Sequence, residues 1–182
     1  MEFCLNNRVV FTGGPGSGKT SVIEFLRQMG YANAPEVGRK VIQSQVELQG
    51  TALPWLDKVA FRDEMVLEEI YNYENFGGTE VTFFDRSLID SYGYSKLEHI
   101  PISDFLLEKG GELTYCRTVF IFPPWEEIYE NDAERKQDFA EAIATYHEMV
   151  SAYIKFGYDL IEVPKVSVKE RAQFIVSKMS DG

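Results

Sequence analysis

Gly13-Gly14-Pro15-Gly16-Ser17-Gly18-Lys19-Thr20 satisfies the spacing G-x-x-x-x-G-K-[ST] in full. Ahead of it runs Arg8-Val9-Val10-Phe11-Thr12, a β-branched and aromatic run that reads as a buried strand. Behind it, Thr20 to Met29 carries apolar residues at helical spacing, and Gly30 stands where a helix C-cap belongs. Strand, glycine loop and helix together make the setting of a phosphate cradle. A glycine-rich turn that binds nothing does not account for the agreement between pattern and flanks.

Each residue type has a physical part. Gly13, Gly16 and Gly18 free the backbone to turn successive N–H groups inward. The helix that follows adds its unpaired N-terminal N–H groups and the positive end of its dipole. Lys19 brings a full charge for the β/γ-phosphates, and Thr20 a hydroxyl where Mg²⁺ takes an oxygen ligand. Gly14, Pro15, Ser17 and Ser21 complete the expected nucleotide-contacting set. The expected cofactors are ATP or GTP with Mg²⁺, and the loop itself does not choose between the bases.

Composition narrows the class. The 182 residues, 45% hydrophobic, suit one domain with a real core. No apolar run approaches the roughly 20 residues that span a bilayer. Met1-Glu2-Phe3-Cys4 lacks a basic and then apolar leader, so a cytoplasmic protein without membrane insertion is expected. The net charge of −11 argues against a duplex-binding surface and against an anionic membrane. Cys4 and Cys116 show neither a disulfide framework nor a metal pattern and read as two reduced thiols. Glu64, Glu68 and Glu69 read as solvated helix faces. Nothing fixes the oligomeric state beyond a monomer or a small homo-oligomer.

The rest of the chain alternates. Tyr31 to Pro35 is a short extended stretch, and Val37 to Leu48 a helix. A long helix is expected from Trp55 to Tyr73, followed by the buried strand Val81 to Phe84 that ends at Asp85. Helical segments run from Ile89 and again through Phe105 to Gly111. Cys116 to Phe122 is a strand, and Trp125 to Glu130 a short helix. Asp138 to Phe156 is a helix with an expected inward face of Ala140, Ile143, His147, Val150 and Ile154, which makes His147 a hydrogen-bonded core histidine. Tyr158 to Val163 is the last strand. Ser167 to Met179 is a terminal helix with Ser167 and Glu170 in capping-box spacing. Strands separated by helices imply an α/β fold: a three-layer, doubly wound parallel sheet of about five strands. Ligands of such sheets bind beyond the C-terminal strand ends.

Candidate site residues therefore follow the strands. Asp85 stands after an apolar strand in the Walker B arrangement, as a Mg²⁺ ligand beside Thr20. Arg86 suits the neutralisation of an anionic substrate or of transition-state charge, which favours transfer to an acceptor over bare hydrolysis. A helix-capping Asp85 and a surface salt bridge for Arg86 are the plain alternatives. Glu36 could take a proton or bind a substrate hydroxyl, and Arg39, a turn along, could hold an anion. Their plain reading is a helix N-terminal acid and a surface arginine. Tyr92 and Tyr94 are candidates to line an acceptor pocket, and His99 reads as a loop residue. Asn131 to Lys136 is a charged loop whose Arg135 could reach over the phosphates, as the lid of small P-loop kinases does. A solvated charged turn explains it equally simply.

The run Val10 to Thr20, with Pro35-Glu36, Arg39, Asp85-Arg86, Asp90, Asn131-Asp132, Arg135 and the ending Val163-Pro164 to Glu170-Arg171, resembles the NadR-like P-loop ATPase group. That group contains AAA-type domains related to the nicotinamide riboside kinase domain of the NAD biosynthesis regulator. The resemblance covers Arg8 to about Met179. It implies a nucleoside-kinase-like P-loop fold in a single domain over 1–182, with a short lid at 131–136. It also implies nucleotide binding, with Lys19, Asp85, Arg86, Arg135 and Glu36 in catalysis and Glu36, Arg39, Arg86 and Asp90 at the acceptor. The expected activity is γ-phosphoryl transfer to a hydroxyl or phosphate acceptor on an unidentified small molecule. A nucleotide-dependent switch that hydrolyses slowly and signals to a partner is the other reading. A remodelling ATPase fits worst, since no separate helical domain follows the core and no glutamate follows Asp85.

Overall fold

The computed structural model describes residues 6–129 and 138–180. The expected lid at 131–136, with Arg135, lies outside them, as does Cys4. The apolar runs form five strands: β1 (Arg8–Gly13), β2 (Ala32–Asn33), β3 (Thr82–Asp85), β4 (Thr118–Phe122) and β5 (Asp159–Glu162). All pair in parallel, in the order β2-β3-β1-β4-β5. From β1 the chain runs to the edge strand β2, returns to β3 between them, and then crosses β1 to β4 and β5, so the end of β1 marks the switch point where ligands of open α/β sheets bind. Phe11 of β1 stands in register with Asp85 on one side and Phe120 on the other. The ends of β1 and β3 are thereby adjacent.

Both faces of the sheet are covered, which is why its strands read as nearly continuous apolar runs. Helices α1 (Lys19–Gln28) and α7 (Val168–Ser180) bury Val22, Leu26, Ala172 and Ile175 against Val9, Phe11, Phe83 and Phe120. On the other face lie α3 (Lys58–Asn75), α4 (Leu88–Leu97), α5 (Asp104–Glu112) and α6 (Phe139–Lys155), packed over Val10, Phe84 and Val119. Helix α2 (Val37–Glu47) adds Val37 and Val41 to Phe61 of α3 at the rim. The Phe11 ring lies 5.1 Å from both Phe83 and Phe122 and 5.9 Å from Phe120. Burying one such side chain stabilises the fold by about 1.5–3 kcal/mol, so this aromatic cluster locks the P-loop strand to both neighbours. Among the described residues, no helix is long and apolar enough to cross a membrane.

Several local expectations change. Helix α3 starts at Lys58 because Asp57 caps it, accepting from the Ala60 N–H at 3.0 Å; Trp55 and Leu56 remain exposed before it. The segment after Trp125 is a single 3₁₀ turn, Glu126–Ile128. Cys116 is buried and takes part in a disulfide, against the expectation of a reduced thiol. The largest revision concerns α6, which buries Ala142, Thr145, Met149, Ala152 and Tyr153. Ile143, His147 and Ile154 face solvent instead. The helix turns its polar Thr145 and Tyr153 inward because both find partners: Thr145 donates to the Glu141 carbonyl and Tyr153 to Asp90. His147 is therefore no core histidine. The terminal helix keeps its capping box, with Ser167 N–H donating to Glu170 and Glu170 N–H to Ser167. These bonds, led by the Ser167 hydroxyl, hold the Glu170 carboxyl below its usual range.

Candidate active site

The turn after β1 has the backbone that its glycines predict. Gly13, Gly16 and Gly18 take φ of 132°, 68° and 88°. Gly18 caps α1 in the left-handed region, a conformation side chains with a Cβ rarely adopt. Space is short as well: a Cβ on Gly13 would lie 2.4 Å from the Phe122 carbonyl oxygen. Within the loop, Ser17 Oγ donates to the Gly14 carbonyl at 2.9 Å, and Lys19 Nζ donates to the same carbonyl at 3.0 Å and to Ser17 Oγ at 3.3 Å. The ammonium thus sits over the cradle. Thr20 and Ser21 are exposed at the start of α1. The Thr20 hydroxyl makes no hydrogen bond among the described residues.

Asp85 ends β3 beside this turn, half-buried. Arg86 follows with φ 74°, strained for a residue of its size. Its N–H donates to the Phe11 carbonyl at 2.8 Å, which ties the strained residue to β1. The guanidinium bends back and donates to the Gly13 carbonyl at 2.9 Å and to Asp90 at 3.1 Å. Burial opposes its charge, but the Asp90 and Asp85 carboxylates outweigh that and raise its pKa. Arg86 therefore stays cationic against the P-loop with about a third of its side chain exposed.

Asp90 is a hub. One oxygen accepts from Thr12 Oγ1 at 2.6 Å and from Arg86; the other accepts from the Ser87 N–H at 2.9 Å and from the Tyr153 hydroxyl. Ser87 caps α4 in a capping box with Asp90 and pairs with Tyr153 at 2.7 Å. Four protein donors hold this carboxylate, so its place is to fix β1, Arg86, α4 and α6 to one another. Burial foremost, with the Asp90 charge, pushes the Tyr153 hydroxyl well above its usual pKa and keeps it a donor.

A cavity of about 190 Å³ opens beside Pro15 of the P-loop. Glu36, Asp85, Arg86, Asp90 and Tyr94 line it, with Phe61, Met65 and Glu69 from α3 and Thr145 and Met149 from α6. The structure thus gathers Glu36, Asp85, Arg86 and Asp90 around one space next to the phosphate cradle. Arg39 is not among its lining residues; it is 57% exposed and pairs with Glu36 at 3.8 Å. Tyr94 faces the cavity as expected, whereas Tyr92 packs on Phe156 in the core.

Three residues to which the sequence reading gave no role in the site stand in or around it. Glu69 is buried at the cavity wall rather than solvated. Arg62, also buried, donates to Ser95 Oγ at 2.7 Å and to the Pro101 carbonyl at 2.8 Å, joining α3 to α4 behind the cavity. Arg171 donates to the Ser17 carbonyl at 3.3 Å and lies 5.4 Å over the Trp125 ring, bracing the cradle from α7; burial lowers its pKa. Among the described residues no cluster of three His, Cys, Asp or Glu side chains could by itself hold a metal. A pair of oxygen donors such as Thr20 and Asp85 instead suits Mg²⁺, which keeps waters and shares phosphate oxygens.

Known proteins agree with this architecture. The NadR protein in complex with NR superposes with a TM-score of 0.68 at 15% identity, covering 96% of this chain and 50% of that one. The chain thus spans half the length of NadR. Deoxyadenosine kinase from M. mycoides, with products dCMP and dCDP, gives a TM-score of 0.64 at 13% identity, covering 96% and 100% of the two chains. Shikimate kinase from Acinetobacter baumannii in complex with shikimate gives 0.59 at 14% identity, covering 98% and 96%. At such identities the likeness is one of fold. No protein of curated function matches the chain by sequence. The family model described as AAA domain matches residues 8–171, from the P-loop strand to the arginine that braces the loop. The chain belongs to the AAA domain family.

Proposed function

We propose that this protein is a small-molecule kinase, which binds a nucleoside triphosphate on the P-loop and phosphorylates an acceptor held in the adjoining cavity. One observation carries the reading: a cavity lined by Pro15 of the P-loop, Asp85 and Arg86 adjoins the phosphate cradle. At about 190 Å³ it is below the roughly 300–1,000 Å³ of drug-sized sites, so it suits the reacting part of a small acceptor. A switch that only hydrolyses nucleotide needs no such second compartment.

In this reading Lys19 leaves the Gly14 carbonyl for the β/γ-phosphates, and the P-loop N–H groups hold the rest of the chain of phosphates. Thr20 and Asp85 would hold Mg²⁺, which when bound would neutralise charge on the phosphate oxygens. The acceptor oxygen forms its bond to the γ-phosphorus as the bond from phosphorus to the bridging oxygen breaks. Glu36 or Asp85, both on the cavity wall, takes the acceptor proton. Arg86, kept cationic by Asp90 and Asp85, meets the charge of the transferring group. ATP is the donor assigned here, with GTP the alternative.

The reading is tested by titrating Mg-ATP and Mg-GTP into wild type and Lys19→Ala. Loss of a charge-assisted contact of about 1.5–3 kcal/mol predicts affinity reduced roughly 10- to 150-fold. Equal affinity in the two proteins, or no binding to the wild type, removes the nucleotide site and with it the kinase.

A further inference from the structure

Glu69 is the least explained charge in the molecule. It is 4% exposed on α3, yet it makes no hydrogen bond and no ion pair among the described residues. An acid in that state disfavours folding, and a fold retains one where something is to be bound. Burial first, then the nearby Asp90 and Asp85 charges, raise its pKa well above the ordinary value. On the neighbouring helix, the Tyr94 hydroxyl is buried without a hydrogen-bond partner among the described residues. Both groups line the same cavity, and buried polar groups left unpaired in a cavity are what a ligand's polar edge completes.

The charge of the wall limits that ligand. Glu36, Glu69, Asp85, Asp90 and Glu98 line the cavity, and the one lysine or arginine among its lining residues is Arg86. Arg86 already bonds to Asp90 and to the Gly13 carbonyl and faces the P-loop. Glu36 pairs with Arg39 and Glu98 with Lys58, so among the described lining residues a phosphate or carboxylate on the acceptor would meet carboxylates and no cation beyond the already bonded Arg86, the more so with a triphosphate alongside. The apolar surfaces of Phe61, Met65 and Met149 complete the wall and suit a flat or aliphatic body.

We propose that Glu69 and Tyr94 are the specificity-determining residues of the acceptor site. They select an uncharged or cationic acceptor whose N–H or O–H group donates to the Glu69 carboxyl, and the site rejects acceptors that carry a phosphate or a carboxylate. This rests on the kinase reading only in taking the cavity as the acceptor site. It narrows that reading from a hydroxyl or phosphate acceptor to a hydroxyl.

The test uses the full chain with Mg²⁺ and a non-hydrolysable ATP analogue. Adenosine, cytidine and nicotinamide riboside are titrated against their 5′-monophosphates and against shikimate. At least one nucleoside is expected to bind at least tenfold tighter than its monophosphate. Glu69→Gln and Tyr94→Phe are each expected to weaken it at least tenfold, and Glu69→Asp to lose less than Glu69→Leu. A thermal melt verifies that each variant folds, and Glu69→Gln, which removes an unpaired acid, is expected to melt above the wild type. Tighter binding of a monophosphate or of shikimate overturns the proposal, as does binding of none of the seven, or unchanged affinity in Glu69→Gln. ADP formation with the same compounds judges the kinase separately. Binding without ADP defeats the kinase and leaves Glu69 as a recognition residue. ADP formed with an anionic acceptor keeps the kinase and defeats this assignment.

Discussion

The P-loop and the cavity beside it prepare for ligands in opposite ways. In the loop, the polar side chains proposed to meet phosphate already have partners: Ser17 and Lys19 both rest on the Gly14 carbonyl, and Arg171 braces the Ser17 carbonyl from behind. The shape comes from backbone held at positive φ against neighbours too close to admit a Cβ. In the cavity, the Glu69 carboxyl and the Tyr94 hydroxyl have no hydrogen-bond partner among the described residues, on a wall built from separate helices. A backbone cradle is cheap to keep and tolerates almost any phosphate chain. A wall of unpaired side chains is costly to keep, and what it gives in return is discrimination.

This contrast can be broken by substitution, beginning where the effect is greatest. Gly13→Ala combines a forbidden φ with a clash against immovable backbone, and should destabilise the fold by roughly 2–5 kcal/mol in urea unfolding. A loss under 1 kcal/mol would mean that the loop is softer than its geometry. Asp90→Asn removes two acceptor sites from the hub, places a donor against donors and should cost about 3 kcal/mol. It should also free Arg86 to move, so turnover should fall further than stability explains. If stability is unchanged, the hub does not hold the two regions together.

Glu69→Gln has the opposite sign. The wild-type carboxyl has a folded pKa raised above its ordinary 4.5. Its contribution to stability is therefore intact below that value and is lost as pH rises through the folded pKa. The glutamine variant has no such loss. It should be more stable by about 1–3 kcal/mol at neutral pH, with the advantage shrinking toward pH 4. Unfolding curves across that range check it; a variant less stable than the wild type at pH 7 would mean that Glu69 is paired.

The same contrast decides what could be read without coordinates. The P-loop is encoded by eight consecutive residues whose backbone needs are local, so its glycines and Lys19 stand where their spacing says. The strands are legible because both sheet faces are covered. The cavity is spread over the P-loop and four helices, and its polar members disguise it. Helix α3 buries Arg62, Val66, Glu69 and Asn72 while exposing Leu67 and Tyr71. The inward face of that helix, which also carries Phe61, Met65 and Ile70, therefore mixes polar with apolar residues and gives a blurred periodicity. The same mixing on α6 hides Thr145 and Tyr153 and promotes Ile143 and His147. One signal was available: Phe61, Met65 and Glu69 follow one another at intervals of four on one face. Asp90 enters the sequence reading only through the family resemblance; its four bonds belong to tertiary packing and no spacing announces them.

In the proposed function, the cradle and the cavity are two halves of one phosphoryl-transfer site. ³¹P NMR of Mg-ATP with the protein and a pool of uncharged alcohols tests it most directly. The account predicts that the γ-phosphate signal falls as a phosphate monoester signal grows, only when an acceptor is present, and that Asp85→Asn abolishes both changes. Release of inorganic phosphate alone, at a rate indifferent to the alcohols, would contradict it.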